Sequence, residues 1–186
     1  MNSKIFKNVI KHTITVLKHK WIVFKLSIKA GIPFRGLMHD WSKFSKEEFF
    51  ESVKYYDGSR SPIGICKKKE GYSKAWLHHK GRNKHHQEYW YDYDAPDMTP
   101  IIPYKYAVES ICDSLSASII YNGANWTNGK QLEYWNRVKD TSKRMLNPKI
   151  REFYTVIYTQ VKDQGIKKVI TSKNLKKTYN DIVLER

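Results

Sequence analysis

Cysteine is scarce: Cys66 and Cys112 are the only two in 186 residues. That is too few for a disulfide framework, so a reducing cytoplasm is the simpler home for the chain. Acidic residues are in deficit, 18 against 34 lysines and arginines, a formal charge of +16. Such a balance steers nucleotides, nucleic acid or another polyanion toward a surface, although lysines spread along a chain also serve as a plain solvated face. Long apolar runs are missing as well. The opening stretch is broken by Lys7, Lys11, His12, Lys18 and Lys20, which reads as an amphipathic helix and excludes both a signal peptide and a membrane span. No membrane partner is expected. No linker rich in Gly, Pro or Ser divides the chain, so one domain over 1–186 is the default.

What is present is helical periodicity. Ile5, Val9, Ile10, Ile14, Leu17, Trp21, Phe24, Leu26 and Ile28 recur at roughly helical spacing, as do Val108, Ile111, Cys112, Leu115, Ile119 and Ile120 further on. Helices are predicted at about 3–30, 44–56, 70–80, 103–122, 129–146, 149–164 and 171–184, with little that reads as strand. The fold class is therefore all-α, a single-domain helical bundle. Ser45, with Glu47 and Glu48 behind it, is placed to cap the second helix, and Pro148 to open a later one. Tyr56 to Pro62 is turn chemistry, and 92–103, with Pro96, Pro100 and Pro103, is an irregular crossing. Either could shape a pocket mouth.

All seven histidines fall before residue 87. The His39-Asp40 pair offers a metal an imidazole and a carboxylate able to bridge two cations, and Lys43 follows about one helical turn later. A phosphate could span metal and lysine. His12 and His19 are seven residues apart and so share a helix face. His78, His79, His85 and His86 crowd one short stretch bracketed by tryptophans and tyrosines, which suggests a partly buried wall. Asp113, with Glu109 one turn before it, sits among apolar residues, where a carboxylate is either at the helix surface or held inside by a cation. The donor set suits Mn, Fe, Co, Ni or Zn, without thiolates to narrow the choice. Trp76, Tyr89, Trp90, Tyr91 and Tyr93 could stack a base, or could be packing. Basic clusters at Lys67 to Lys69, Lys80 to Lys84 and Lys167 to Lys177 could form a funnel.

In order, His19, His39-Asp40 with Lys43, His79, His85-His86 and Asp113 resemble the HD-domain metal-dependent phosphohydrolases, an all-helical superfamily. The likeness covers about 12–120, leaving 129–186 as a helical extension. The chain also looks like an uncharacterised family of small bacterial and phage proteins. The HD resemblance implies one cation on His19, His39, Asp40 and Asp113, with Asp40 bridging to a second on His79, His85 and His86. It implies substrate phosphate at Lys43, and one or two divalent transition metals as cofactor. His12 and His78 would lie behind the ligands or at the surface. Two departures bear on this: the Gly-Tyr-Pro extension of cyclic-dinucleotide-specific members is replaced by Glu88-Tyr89-Trp90, and Thr15 stands where some members carry a third-metal glutamate.

The implied activity is hydrolysis of a nucleotide phosphomonoester or phosphodiester, such as a signalling or defence nucleotide, by metal-activated water. Asp40, Lys43 and Asp113 would be the catalytic groups, Asp113 or Glu109 orienting the water, with Arg82, Lys84 and Trp90 beside Lys43 at the substrate. The competing expectation is a non-catalytic basic nucleotide- or nucleic-acid-binding protein with a structural metal or none.

Overall fold

The computed structural model describes residues 3–141 and 145–186. The chain is all-helical, with no strand among the described residues. The helices are α1 (Ser3–Lys29), α2 (Pro33–Met38), α3 (Lys46–Tyr55), α4 (Pro62–Glu70), α5 (Lys74–Arg82), α6 (Tyr104–Asn122), α7 (Lys130–Val138), α8 (Pro148–Gln164), α9 (Ile166–Val169) and α10 (Ser172–Tyr179). A 3-10 turn at Trp41–Phe44, another at Gln87–Trp90 and a closing π-helical turn at Asn180–Leu184 complete the order relevant here.

Local chemistry explains most boundaries. Ser45 caps α3 by accepting from the Glu48 amide, Ser73 caps α5 through Trp76 and Asn147 caps α8 through Lys149. Prolines open α2, α4 and α8, where a missing N–H costs nothing. Gly31 ends the first long helix with φ of +78°, and a Cβ there would meet Ser172 Oγ at 2.6 Å. Glycine is thus required both for the turn and for the approach of α10.

At the centre is α6, whose Ala107, Val108, Ile111, Cys112 and Leu115 are wholly buried. They share one apolar cluster with Val23 and Leu26 of α1, Ile150, Phe153 and Ile157 of α8, and Leu175 and Tyr179 of α10. The carboxy-terminal helices are therefore built into the same core as the amino-terminal ones. Tyr179 reinforces the join by donating to the Ile102 carbonyl at 2.8 Å.

Several predicted boundaries shift. The helix expected from 44 starts at Lys46, after the 3-10 turn; the one expected at 70–80 runs 74–82, because Ser73 rather than Glu70 supplies the cap. Short α2 and α4 were not anticipated, α4 lying partly where turn chemistry ends at Pro62. The helix expected at 129–146 stops at Val138, and 142–144 lie outside the described residues. Helical spacing alone left open which face of α1 is buried. Its buried face is His12, Val16, His19, Val23, Leu26 and Ser27, whereas Ile5, Ile10, Ile14, Leu17, Trp21 and Ile28 face solvent.

Candidate metal centre

Two features of the backbone bring the His-Asp pair inward. Gly36 lets α2 lie directly on Phe24 and Ser27 of α1, since any side chain at 36 would overlap Ser27. Immediately after α2, His39 is extended and Asp40 left-handed, at φ 52° and ψ 32°. Asp tolerates that region better than most residues do, at an energetic cost. The sharp turn buries both side chains, each 1 % exposed.

His19 from α1, the pair itself, His79 from α5, His85 and His86 from the loop after it, and Asp113 from α6 converge on one locus. His19, His39, Asp40 and Asp113 form one quartet of donor atoms lying within 4.8 Å of one another; Asp40, His79, His85 and His86 form a second. Asp40 belongs to both. Its Oδ2 lies 3.2 Å from His39 Nε2 and 3.9 Å from His19 Nε2, while Oδ1 lies 3.4 Å from Nε2 of both His79 and His85. Asp113 Oδ1 is 3.0 Å from His19 Nε2. Lys43 Nζ sits 2.6 Å from Asp40 Oδ2.

Several of the histidines are held through Nδ1, the arrangement that presents Nε2 to a metal. Ser116 Oγ donates to the His19 carbonyl and meets His19 Nδ1 at 3.0 Å, so it accepts there. Glu109 Oε1 accepts from His39 Nδ1 at 3.1 Å and lies 3.4 Å from His85 Nδ1. Glu48 accepts from Nδ1 of both His78 and His79 at 2.7 Å. With Nδ1 of His19, His39 and His79 engaged in this way, their Nε2 atoms face the locus. Glu109 is itself gripped by Arg35 through Nε at 2.8 Å and Nη2 at 2.6 Å.

Asp40 Oδ1 and the Nε2 atoms of His85 and His86 are buried without a hydrogen-bond partner among the described residues. Unsatisfied polar atoms in such a place are costly, and a cation shared between them removes the cost. The donor set of imidazoles and carboxylates fits a divalent transition metal.

Charge is distributed accordingly. Burial works against charge on His39, yet the neighbouring Asp40 carboxylate, with Asp113 and Glu109, holds its pKa well above the ordinary histidine value. Burial alone would raise Asp40, but the charges of His39, Lys43 and His79 keep it well below the usual carboxylate range. Glu109 is pulled down to about 2, against its burial, by its bonds to His39 and His85. His19 falls to about 4 through burial and the Lys43 charge, and burial with the His85 and His79 charges depresses His86. The His39 proton and the Lys43 ammonium thus offset the charge of the Asp40, Glu109 and Asp113 carboxylates.

A cavity of about 660 Å³ opens onto this locus and is lined by His19, Lys43, His79, His86 and Asp113, with Tyr56, Trp76 and Tyr121 on its walls. Its cationic lining comes from Arg60, Lys130 and Arg137 besides Lys43. Arg82, Lys84 and Trp90, expected at the substrate, do not line it. The chain reverses at Asn83, whose amide group holds the His79 carbonyl and Ser42 Oγ, and this turns His85 inward while Arg82 and Lys84 point to solvent. Trp90 instead donates to the Lys84 carbonyl at 2.7 Å and packs on Tyr106. Of the aromatic group only Trp76 lines the cavity; Tyr89, Tyr91 and Tyr93 are exposed elsewhere. The lysine clusters at 67–69, 80–84 and 167–177 contribute nothing to the cavity lining. His78 lies behind the ligands on Glu48, whereas His12 is a buried wall residue against Phe49 and Tyr56. Glu109, expected as one candidate to orient water, stands behind His39 and His85 and does not line the cavity. Glu48 serves more than charge complementarity at the start of α3, and nothing but the i, i+4 spacing of Glu109 to Asp113 signalled these clamps in advance.

Residues 8–160 match the model of a family of unknown function, DUF5662, and the chain belongs to that family. No curated protein and no solved structure matches it.

Proposed function

We propose that this DUF5662 member is a metal-dependent phosphohydrolase of the HD type, acting on a nucleotide phosphomonoester or phosphodiester. The observation that carries the reading is the divided role of Asp40: one carboxylate oxygen faces His19 and His39 and the other faces His79 and His85. One carboxylate shared by two donor sets is suited to two neighbouring cations, with His19, His39 and Asp113 completing one site and His79, His85 and His86 the other. Divalent metals bound there would supply Lewis acidity that lowers the pKa of a water and offsets charge on phosphoryl oxygens. No covalent enzyme intermediate is required.

The protein's own groups divide the remaining work. Lys43, partly exposed at the cavity and paired with Asp40, is placed to take a phosphoryl oxygen as a fixed cation. Asp113 lines the cavity with 18 % of its side chain exposed and is the group positioned to orient the attacking water. Glu109, Glu48 and Ser116 hold the imidazoles so that little reorganisation accompanies reaction. Trp76, Tyr56 and Tyr121 provide ring faces for a base.

The open cavity favours catalysis over a structural metal, because structural sites close their coordination sphere whereas catalytic sites keep a position accessible. The test is turnover of a panel of nucleotides, phosphodiesters and simple aryl phosphates with Mn, Co, Ni, Mg or Zn. Product release that depends on metal and is abolished in Asp113→Asn is the expected result. A folded, metal-loaded protein that hydrolyses nothing, and binds polyanions with steep salt dependence, would return the site to a binding role.

A further inference from the structure

The first helix carries two apolar faces, and only one is used. Relative to Ile10, residues 14, 17, 21, 24 and 28 all fall within about 40° of one line down α1 at 100° per residue. The buried set, His12, Val16, His19, Val23 and Leu26, lies on the opposite side. Ile10, Ile14, Leu17, Trp21 and Ile28 are 46 to 58 % exposed, forming a stripe about 27 Å long that no other element covers among the described residues. Lys7, Lys11, Lys18, Lys25 and Lys29 run about 60 to 100° to one side of it, and Lys20 lies on the other. Lys25 stacks on Trp21, and Lys20 stacks on Trp41, itself exposed. No acidic residue occurs in the first 39 positions.

We propose that this face of α1 docks on an anionic lipid surface, with the stripe in the acyl boundary and the lysines among the headgroups. Aliphatic and aromatic residues opposite a polar face rich in lysine are what an interfacial helix requires, and tryptophan suits the boundary between them. Nucleic acid would satisfy the lysines and leave the stripe in water. A second copy of the chain would satisfy the stripe but bring two lysine rows together without a carboxylate to separate them. A lipid surface meets both demands. The absence of a membrane-spanning helix is no obstacle, since the helix lies in the interface. The sequence-based expectation of no membrane partner rested on the lack of a long apolar run, which bears on spanning a membrane and not on a helix lying in its surface.

The metal-loaded, full-length protein is tested by co-sedimentation with vesicles of phosphatidylcholine alone or with about 30 % phosphatidylserine, at about 0.1 and 0.5 M NaCl. Expected is binding to the phosphatidylserine vesicles that weakens at high salt. Leu17→Glu should lower it tenfold or more, with circular dichroism and melting unchanged because the side chain is exposed. Lys18→Ser combined with Lys25→Ser should weaken it while leaving the stripe intact. Absence of binding to either vesicle overturns the proposal, as does binding indifferent to Leu17→Glu. A concentration-dependent dimer in sedimentation equilibrium that Leu17→Glu dissolves also overturns it, and assigns the face to a second copy.

Discussion

Glu109→Gln is the most informative single substitution behind the metal ligands. One carboxylate oxygen of Glu109 serves His39 at 3.1 Å and His85 at 3.4 Å, and the other takes both contacts from Arg35. Glutamine is nearly isosteric but has only one acceptor oxygen. If that oxygen faces the imidazoles, its NH2 opposes the Arg35 donors; flipped, its NH2 opposes the two Nδ1–H groups. Either way one set of charge-assisted bonds is lost. Because His39 belongs to one quartet and His85 to the other, both metals should weaken together. Loss of a partner behind a ligand typically lowers metal affinity by about 10- to 100-fold, or roughly 1.4 to 2.7 kcal/mol. The assay is competition against a chromogenic chelator at fixed pH, with circular dichroism confirming the helical fold. Affinity within twofold of wild type in a folded Glu109→Gln protein would refute the role assigned to the carboxylate.

Further expectations concern the same site. Glu48→Gln should weaken mainly the metal on His79, His85 and His86, so elemental analysis should show about one equivalent lost before the other under mild chelation. Lys43→Ala should lower kcat by about 100- to 1000-fold with metal content retained, as removal of a cation from a developing phosphoryl charge does. The metal-free protein should be most stable near pH 6.5. His12 and His19, each with a folded pKa of about 4, are neutral inside and protonate on unfolding, so stability falls as pH drops from 6.5 toward 4. His39 has a folded pKa raised well above the ordinary histidine value, so its contribution is complete below about 6.5 and is lost as pH rises from there through that raised folded value. Thermal melts across pH 4 to 9 check both limbs, and saturating metal should abolish the alkaline one, because it displaces the His39 proton.

Much of the locus was legible because clustered histidines and carboxylates announce themselves by type and spacing. His19, His39, Asp40, His79, His85, His86 and Asp113 are all brought together, although they derive from three helices and two connecting segments. Glu48 and Glu109 were not legible as clamps, since a carboxylate in a first helical turn or among apolar neighbours reads as surface or cap until its partners are located. The substrate residues expected at Arg82, Lys84 and Trp90 failed for a related reason: nearness in sequence to His79 and His85 says nothing of direction once the chain reverses at Asn83. Helix α2 was missed because six residues containing Pro33 and Gly36 are too few to show a period. On α1 the period was legible and the buried face was not. A helix with apolar residues on two sides does not reveal which side is inside, and here the two histidines share the buried one.

The account rests on Asp40 joining two metal sites. Elemental analysis of purified wild type and Asp40→Ala, each stripped, reloaded with Mn, Co or Zn and desalted, tests that directly. The expected result is close to two equivalents in the wild type and loss of both in a variant that keeps its helical circular dichroism. A folded wild type that retains no metal, or an Asp40→Ala protein that holds as much as wild type, would contradict it.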